Sequence, residues 1–130
     1  MSGAISIDEF ITGAMSALKL SGVESVPVKG VEAQFVRVFR MLERWSEPQF
    51  LELRFHCQWN ATTRQCPVIR HALLKAEQES MISRDGHSWA IHLTPAQASA
   101  NIEQSPLSLE EWKSLTAHMR TAVRFVPLVP

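Results

Sequence analysis

The sequence predicts a mainly α-helical fold with one β-hairpin, and three observations carry that expectation. Ser-x-x-Glu/Gln motifs stand ahead of apolar runs at Ser6-Ile7-Asp8-Glu9, Ser46-Glu47-Pro48-Gln49 and Ser108-Leu109-Glu110-Glu111. In each, a hydroxyl and an acceptor three residues later can satisfy the free amides of a first helical turn. Apolar residues also recur at three- and four-residue spacing, as one buried helix face requires. Finally, Asp85-Gly86 precedes the alternating run Trp89, Ile91, Leu93, the pattern of a tight hairpin with one buried strand face.

In chain order, the first helix follows Ser6. Ile7, Phe10, Ile11, Ala14 and Leu18 form its stripe, Ile5 and Phe10 its hydrophobic staple, and Gly22 its end. Residues 22–30, GVESVPVKG, hold Pro27 between two glycines without a period and read as a surface connection. The second helix has the clearest pattern: Val31, Phe35, Val38, Phe39, Leu42 and Trp45 on one face, Glu32, Arg37, Arg40, Glu43 and Arg44 on the other. That pattern predicts the central packing helix.

Residues 46–59 carry opposed signals. The Ser46 motif and the Trp45–Phe50 staple pair favour a helix, yet Leu51, Leu53, Phe55, Cys57 and Trp59 alternate with Glu52, Arg54, His56 and Gln58 as in a strand. A helix is the expectation, because its start is marked twice. The alternative is an α+β fold in which 51–59 lie beside the hairpin and complete a three-stranded antiparallel sheet. Asn60-Ala61-Thr62 supplies a turn, with asparagine suited to a left-handed conformation.

From Pro67 to Glu79, Ile69, Ala72, Leu73 and Ala76 share one helix face, while Arg70, His71, Leu74, Lys75 and Gln78 collect on the other. After the hairpin, Thr94-Pro95 caps a weakly patterned helix running to about Ile102. The last helix carries Trp112, Leu115, Met119, Ala122, Val123 and Val126. Its apolar tail, FVPLVP, is expected to dock on the core or on a second copy, giving a homodimer through the terminal helices.

At 130 residues the chain suits one domain. Thirteen basic and thirteen acidic residues cancel, so no global field draws it to a polyanion or a membrane surface. The balance is uneven locally: residues 54–92 hold Arg54, Arg64, Arg70, Lys75 and Arg84 against Glu77, Glu79 and Asp85. Cys57 and Cys66 are too few for a disulfide framework, and neither a leader pattern nor a membrane-spanning run is visible, so a cytoplasmic location is expected. His56, Cys57, Cys66 and His71 match no zinc spacing, and phosphate loops and nucleophile motifs are lacking. Neither a cofactor nor enzymatic activity is therefore expected. Trp45, Trp59, Trp89 and Trp112 read first as packing residues and second as stacking platforms for bases.

Helix, turn, amphipathic helix, hairpin, helix is an order that resembles a winged helix-turn-helix domain. The segment ESMISRDGHSWAIHLTPAQ is similar to the wing of MarR-type bacterial regulators, through Met81 and Ile82, Arg84 to Gly86, and Leu93-Thr94-Pro95. The resemblance covers about residues 31–98, with flanking terminal helices. It implies that a helix from about Thr63 to Glu79 enters the major groove of duplex DNA. Arg64, Gln65, Arg70, His71 and Lys75 would then reach bases or phosphates, and Arg84 and His87 on the wing would touch the adjacent backbone or minor groove. The implied function is a non-enzymatic transcriptional regulator. A protein-binding accessory or inhibitor module on the same scaffold is the alternative, followed by a small α+β ligand-binding domain or enzyme.

Overall fold

Side-chain caps start three of the helices. In the computed structural model, which describes residues 3–120, Ser6 Oγ accepts the Glu9 amide at 3.2 Å and Glu9 Oε1 accepts the Ser6 amide at 2.9 Å. Thr94 with Gln97 and Ser108 with Glu111 repeat the arrangement. The elements run β1 (Ala4–Ile5), α1 (Ile7–Leu20), β2 (Ser25–Pro27), α2 (Val31–Ser46), β3 (Glu52–Leu53), α3 (Pro67–Gln78), β4 (Ile82–Asp85), β5 (Ser88–Ile91), α4 (Pro95–Gln104) and α5 (Leu109–Leu115). The architecture is α+β around one hydrophobic core.

The central helix is α1 and not α2. Phe10, Ile11, Gly13, Ala14, Met15, Ser16, Ala17 and Leu18 are all buried, because α1 is packed against α3, α4 and α5. α2 buries a single stripe, Val31, Phe35, Val36, Val38, Phe39, Leu42 and Ser46, and leaves its opposite face open. Each large side chain so buried contributes roughly 1.5–3 kcal/mol. Since α1 is covered by its own chain, its apolar face is not free for a second copy. Ala122, Val123, Val126 and the FVPLVP tail lie outside the described residues.

A three-stranded antiparallel sheet is present, ordered β2-β5-β4. Its third strand is not 51–59 but Ser25–Pro27, in the stretch expected to be a plain connection. Val26 is buried opposite Trp89, and the bonds from Ile91 N to Glu24 O and from Val28 N to His87 O flank it. That parity aims position 27 away from β5, so the missing proline N–H falls on the free edge, where it costs no ladder bond. The β4–β5 register pairs Asp85 with Ser88, so the turn residues are Gly86-His87, one position later than the sequence suggests. Gly86 takes a φ of 63°, as a two-residue turn with glycine first requires.

The expected helix over 46–59 does not form. α2 absorbs Ser46, whose Oγ donates to the Glu43 carbonyl at 3.0 Å, and the chain turns through 47–50. Then β3 pairs in parallel with β1, with Glu52 N donating to Gly3 O and Arg54 N to Ile5 O. Burial alternates from Leu51 to Asn60 with a period of two, so the strand-like pattern prevails over the cap. Phe55 reaches inward and stacks at 5.2 Å from both Phe10 and Phe39. Asn60 does not take the left-handed conformation; its Oδ1 accepts the Thr62 and Thr63 amides, and Arg64, with a φ of 57°, makes the turn.

Gly13 gives the packing a direct test. A Cβ there would lie 2.2 Å from Cζ2 of the fully buried Trp112, whose Nε1 donates to Ser105 Oγ at 3.0 Å. Gly13→Ala, ordinarily favourable in a helix, is expected to lower stability by about 2 kcal/mol through overpacking. Thermal denaturation should show a Tm several degrees below the parent's; an unchanged or higher Tm would contradict the α1–α5 contact.

Candidate functional site

The outer surface of α3 is where the resemblance places the ligand. At about 100° per residue, the positions opposite Ile69, Ala72, Leu73 and Ala76 are Pro67, His71, Leu74 and Gln78. That ridge carries no formal cation. Arg70 and Lys75 sit on its two flanks, and each is held by an acid from another helix. Glu32, in the first turn of α2, accepts from Arg70 Nε at 3.3 Å and from its guanidinium NH2 group at 3.1 Å, while its other oxygen accepts the Cys66 amide at 2.9 Å. Lys75 Nζ is paired with Asp8 of α1, which raises the lysine pKa.

The remaining expected contacts are dispersed. Arg64 and Gln65 precede α3 and are not part of it, because the helix begins at Pro67; Gln65 is tied to Asn60 in an isolated bridge. Arg84 and His87 are exposed on the hairpin, Arg84 beside a groove of about 280 Å³ that also holds Glu32, Arg70, Glu77 and Trp89. Two cations there face two acids. Of the seven residues expected at a DNA contact, none is brought into an unneutralised cationic cluster.

Such a cluster exists on α2. Arg37, Arg40 and Arg44 stand at i, i+3 and i+7, on the face opposite the buried stripe, spanning about 10 Å along the axis. They line an open groove of about 620 Å³ together with Val36, Met41 and Trp59. None of the three has an ion-pair or hydrogen-bond partner among the described residues. Glu43 lies a quarter-turn aside, and its carboxylate is 4.0 Å from His56. Adjacent like charges at such spacings cost a helix about 0.2–0.5 kcal/mol per pair, so the stripe is unfavourable for folding alone. His118 Nε2 is 3.3 Å from the Gln34 carbonyl oxygen; burial, joined by the field of Arg37, lowers its pKa, so the imidazole adds no charge to the groove at neutral pH.

The extended segment makes this groove. Because Phe55 is packed against the core and Cys57 is buried, the period of two brings Trp59 to the same inner side, over α2. The outward arginines were visible in the sequence, but without the path of 51–59 their aromatic neighbour was not. Cys57 is not set up as a nucleophile: burial, reinforced by the neighbouring Cys66 thiol, pushes its pKa up and keeps that thiol protonated. Among the described residues no cluster of three His, Cys, Asp or Glu side chains is placed to hold a metal ion, and no helix is long and apolar enough to cross a membrane. No protein-family model, curated protein or solved structure matches the chain.

Glu32 is accordingly a structural acid and Arg70 its lesser partner. Glu32→Ala leaves the buried Cys66 N–H without an acceptor and is expected to cost about 1–3 kcal/mol. Arg70→Ala removes an exposed pair and should cost under about 1 kcal/mol. Denaturant unfolding of both variants checks the order; a larger loss for Arg70→Ala would reverse the assignment.

Proposed function

We propose that the chain is a non-enzymatic nucleic-acid-binding domain on a winged-helix-type scaffold, with its phosphate contacts on α2 and not on α3. The observation that carries the reading is the stripe Arg37, Arg40, Arg44, three outward guanidinium groups without partners among the described residues. A guanidinium offers a planar fork of donors matched to phosphate oxygens, and its charge persists at any physiological pH. The scaffold part of the reading is supported by the order α2, α3, β4–β5, α4, which keeps the helix, helix, hairpin, helix sequence of a winged helix. The connection departs from it: residues 47–66 replace the tight turn.

In a chain that is neutral overall, the field of the stripe is local. Lys75, Lys19, Arg70 and Arg54 are paired with Asp8, Glu24, Glu32 and Glu52, whereas Arg37, Arg40 and Arg44 have no ion pair among the described residues, with Glu43 and Glu47 the acids nearest to them along the chain. The field is felt at contact range, within about 8–10 Å at physiological salt.

A second reading rests on α3. Its outer ridge exposes Leu74 at 44% between two neutralised flanks, a surface better suited to a protein partner than to DNA. A protein-binding accessory role through that ridge is compatible with nucleic-acid contact on α2.

Fluorescence anisotropy with labelled oligonucleotides, between about 50 and 200 mM salt, separates the two faces. Binding should weaken with salt, and the triple variant R37Q/R40Q/R44Q should lose at least about tenfold in affinity with a slope shallower by about 2–3. R70A/K75A should stay within about twofold of the parent, since a surface cation already paired contributes little. The reverse ranking would return the site to α3, and absence of binding at low salt would overturn the nucleic-acid reading.

A further inference from the structure

We infer that the α2 groove takes single-stranded rather than duplex nucleic acid, with Trp59 offering a stacking surface for unpaired bases beside the arginine stripe and Phe50, past the end of α2, a second one. This rests on the nucleic-acid reading of that face. In a duplex the base faces are stacked on one another, so an aromatic side chain reaches them only by unstacking a step at a cost of a few kcal/mol; an unpaired base presents a free π-face. Trp59, at the end of the extended segment, lines the groove with Met41 and the three arginines and is partly exposed, while Phe55 and Cys57 earlier in that segment are held against or in the core.

Phe50 is the second observation. It follows α2 by one turn, beyond the end toward which the arginines run, and it is 79% exposed with a φ of 58°. Two local costs meet at one residue. A bulky side chain is disfavoured in the left-handed region, where glycine or asparagine would make the same turn more easily, and a large apolar surface is left in water. Its backbone is tied in place by Phe50 N donating to Glu47 O and Leu51 N to Ser46 O, so the ring is held outward by the turn. The exposed ring is thus available to a ligand. Arginine forks along α2 would hold the phosphodiester backbone while bases lie on the two rings, the combination of cationic track and aromatic platform that sequence-tolerant single-strand binding uses.

The test compares a labelled oligo-dT with its dT·dA duplex of equal length, at low salt, by anisotropy. The single strand should bind about tenfold tighter or more. Trp59→Leu, which keeps apolar contact with the core but removes the π-face, and Phe50→Gly should each weaken single-strand binding about fivefold or more without flattening the salt slope. Trp59→Phe should restore part of the loss. Phe50→Gly should also raise Tm, because glycine removes the left-handed strain; a variant that is more stable and binds less cannot be explained by misfolding. Duplex binding as tight as single-strand binding, with neutral Trp59 and Phe50 variants, would overturn this inference while leaving the cationic face intact. Failure of every oligonucleotide would instead remove the broader reading. Poly-glutamate competing as well as oligo-dT at equal charge would mark an acidic-peptide groove and overturn stacking, and a lowered Tm for Phe50→Gly would assign that ring to the fold.

Discussion

The contact on which the rest of the molecule depends is the insertion of Phe55 between α1 and α2. Its ring lies 5.2 Å from those of Phe10 and Phe39, and Phe10 in turn meets Phe35 at 6.1 Å and Trp112 at 6.3 Å. One aromatic cluster thus binds both long helices, the extended segment and α5 together. Offset and edge-on aromatic pairs add about 0.5–1.5 kcal/mol each beyond the area they bury. With Phe55 fixed, the period of two sends Cys57 inward and carries Trp59 over the open face of α2. The groove is therefore a consequence of the core.

Residues 46–59 do not form the helix that their local signals predict. The Ser46 motif and staple pair were genuine local signals, but a parallel partner at Ala4–Ile5, almost fifty residues upstream, supplied backbone bonds that no local pattern announces. A three-residue strand containing Pro27 likewise shows no periodicity, and only its pairing with β5 makes it a strand. By contrast, the capping boxes at Ser6 and Ser108, the stripe of α2 and the alternation of Trp89 and Ile91 were legible, because each depends on residues within a few positions.

Charge was legible only in part. The cations of α3 stand out in the sequence, whereas their neutralisation by Glu32 and Asp8 joins residues 38 and 67 positions apart. Removing those two charges from consideration leaves the α3 ridge with Leu74 and His71, and shifts the uncompensated positive field to the helix before it. Arg37, Arg40 and Arg44 can be placed on an outward face from spacing alone; what the fold adds is that none of the three forms an ion pair among the described residues and that Trp59 lies beside them. The proposed winged-helix-type scaffold and the proposed ligand face on α2 are compatible, since a scaffold does not dictate which of its surfaces carries function.

The most direct measurement is an NMR titration of the isotopically labelled chain with a short single-stranded oligonucleotide, following backbone amides together with arginine and tryptophan side-chain N–H signals. The largest shifts are expected on Arg37, Arg40, Arg44 and the Trp59 indole, with α3 and the hairpin turn nearly unmoved. Shifts concentrated instead on His71, Leu74, Arg84 and His87 would contradict it.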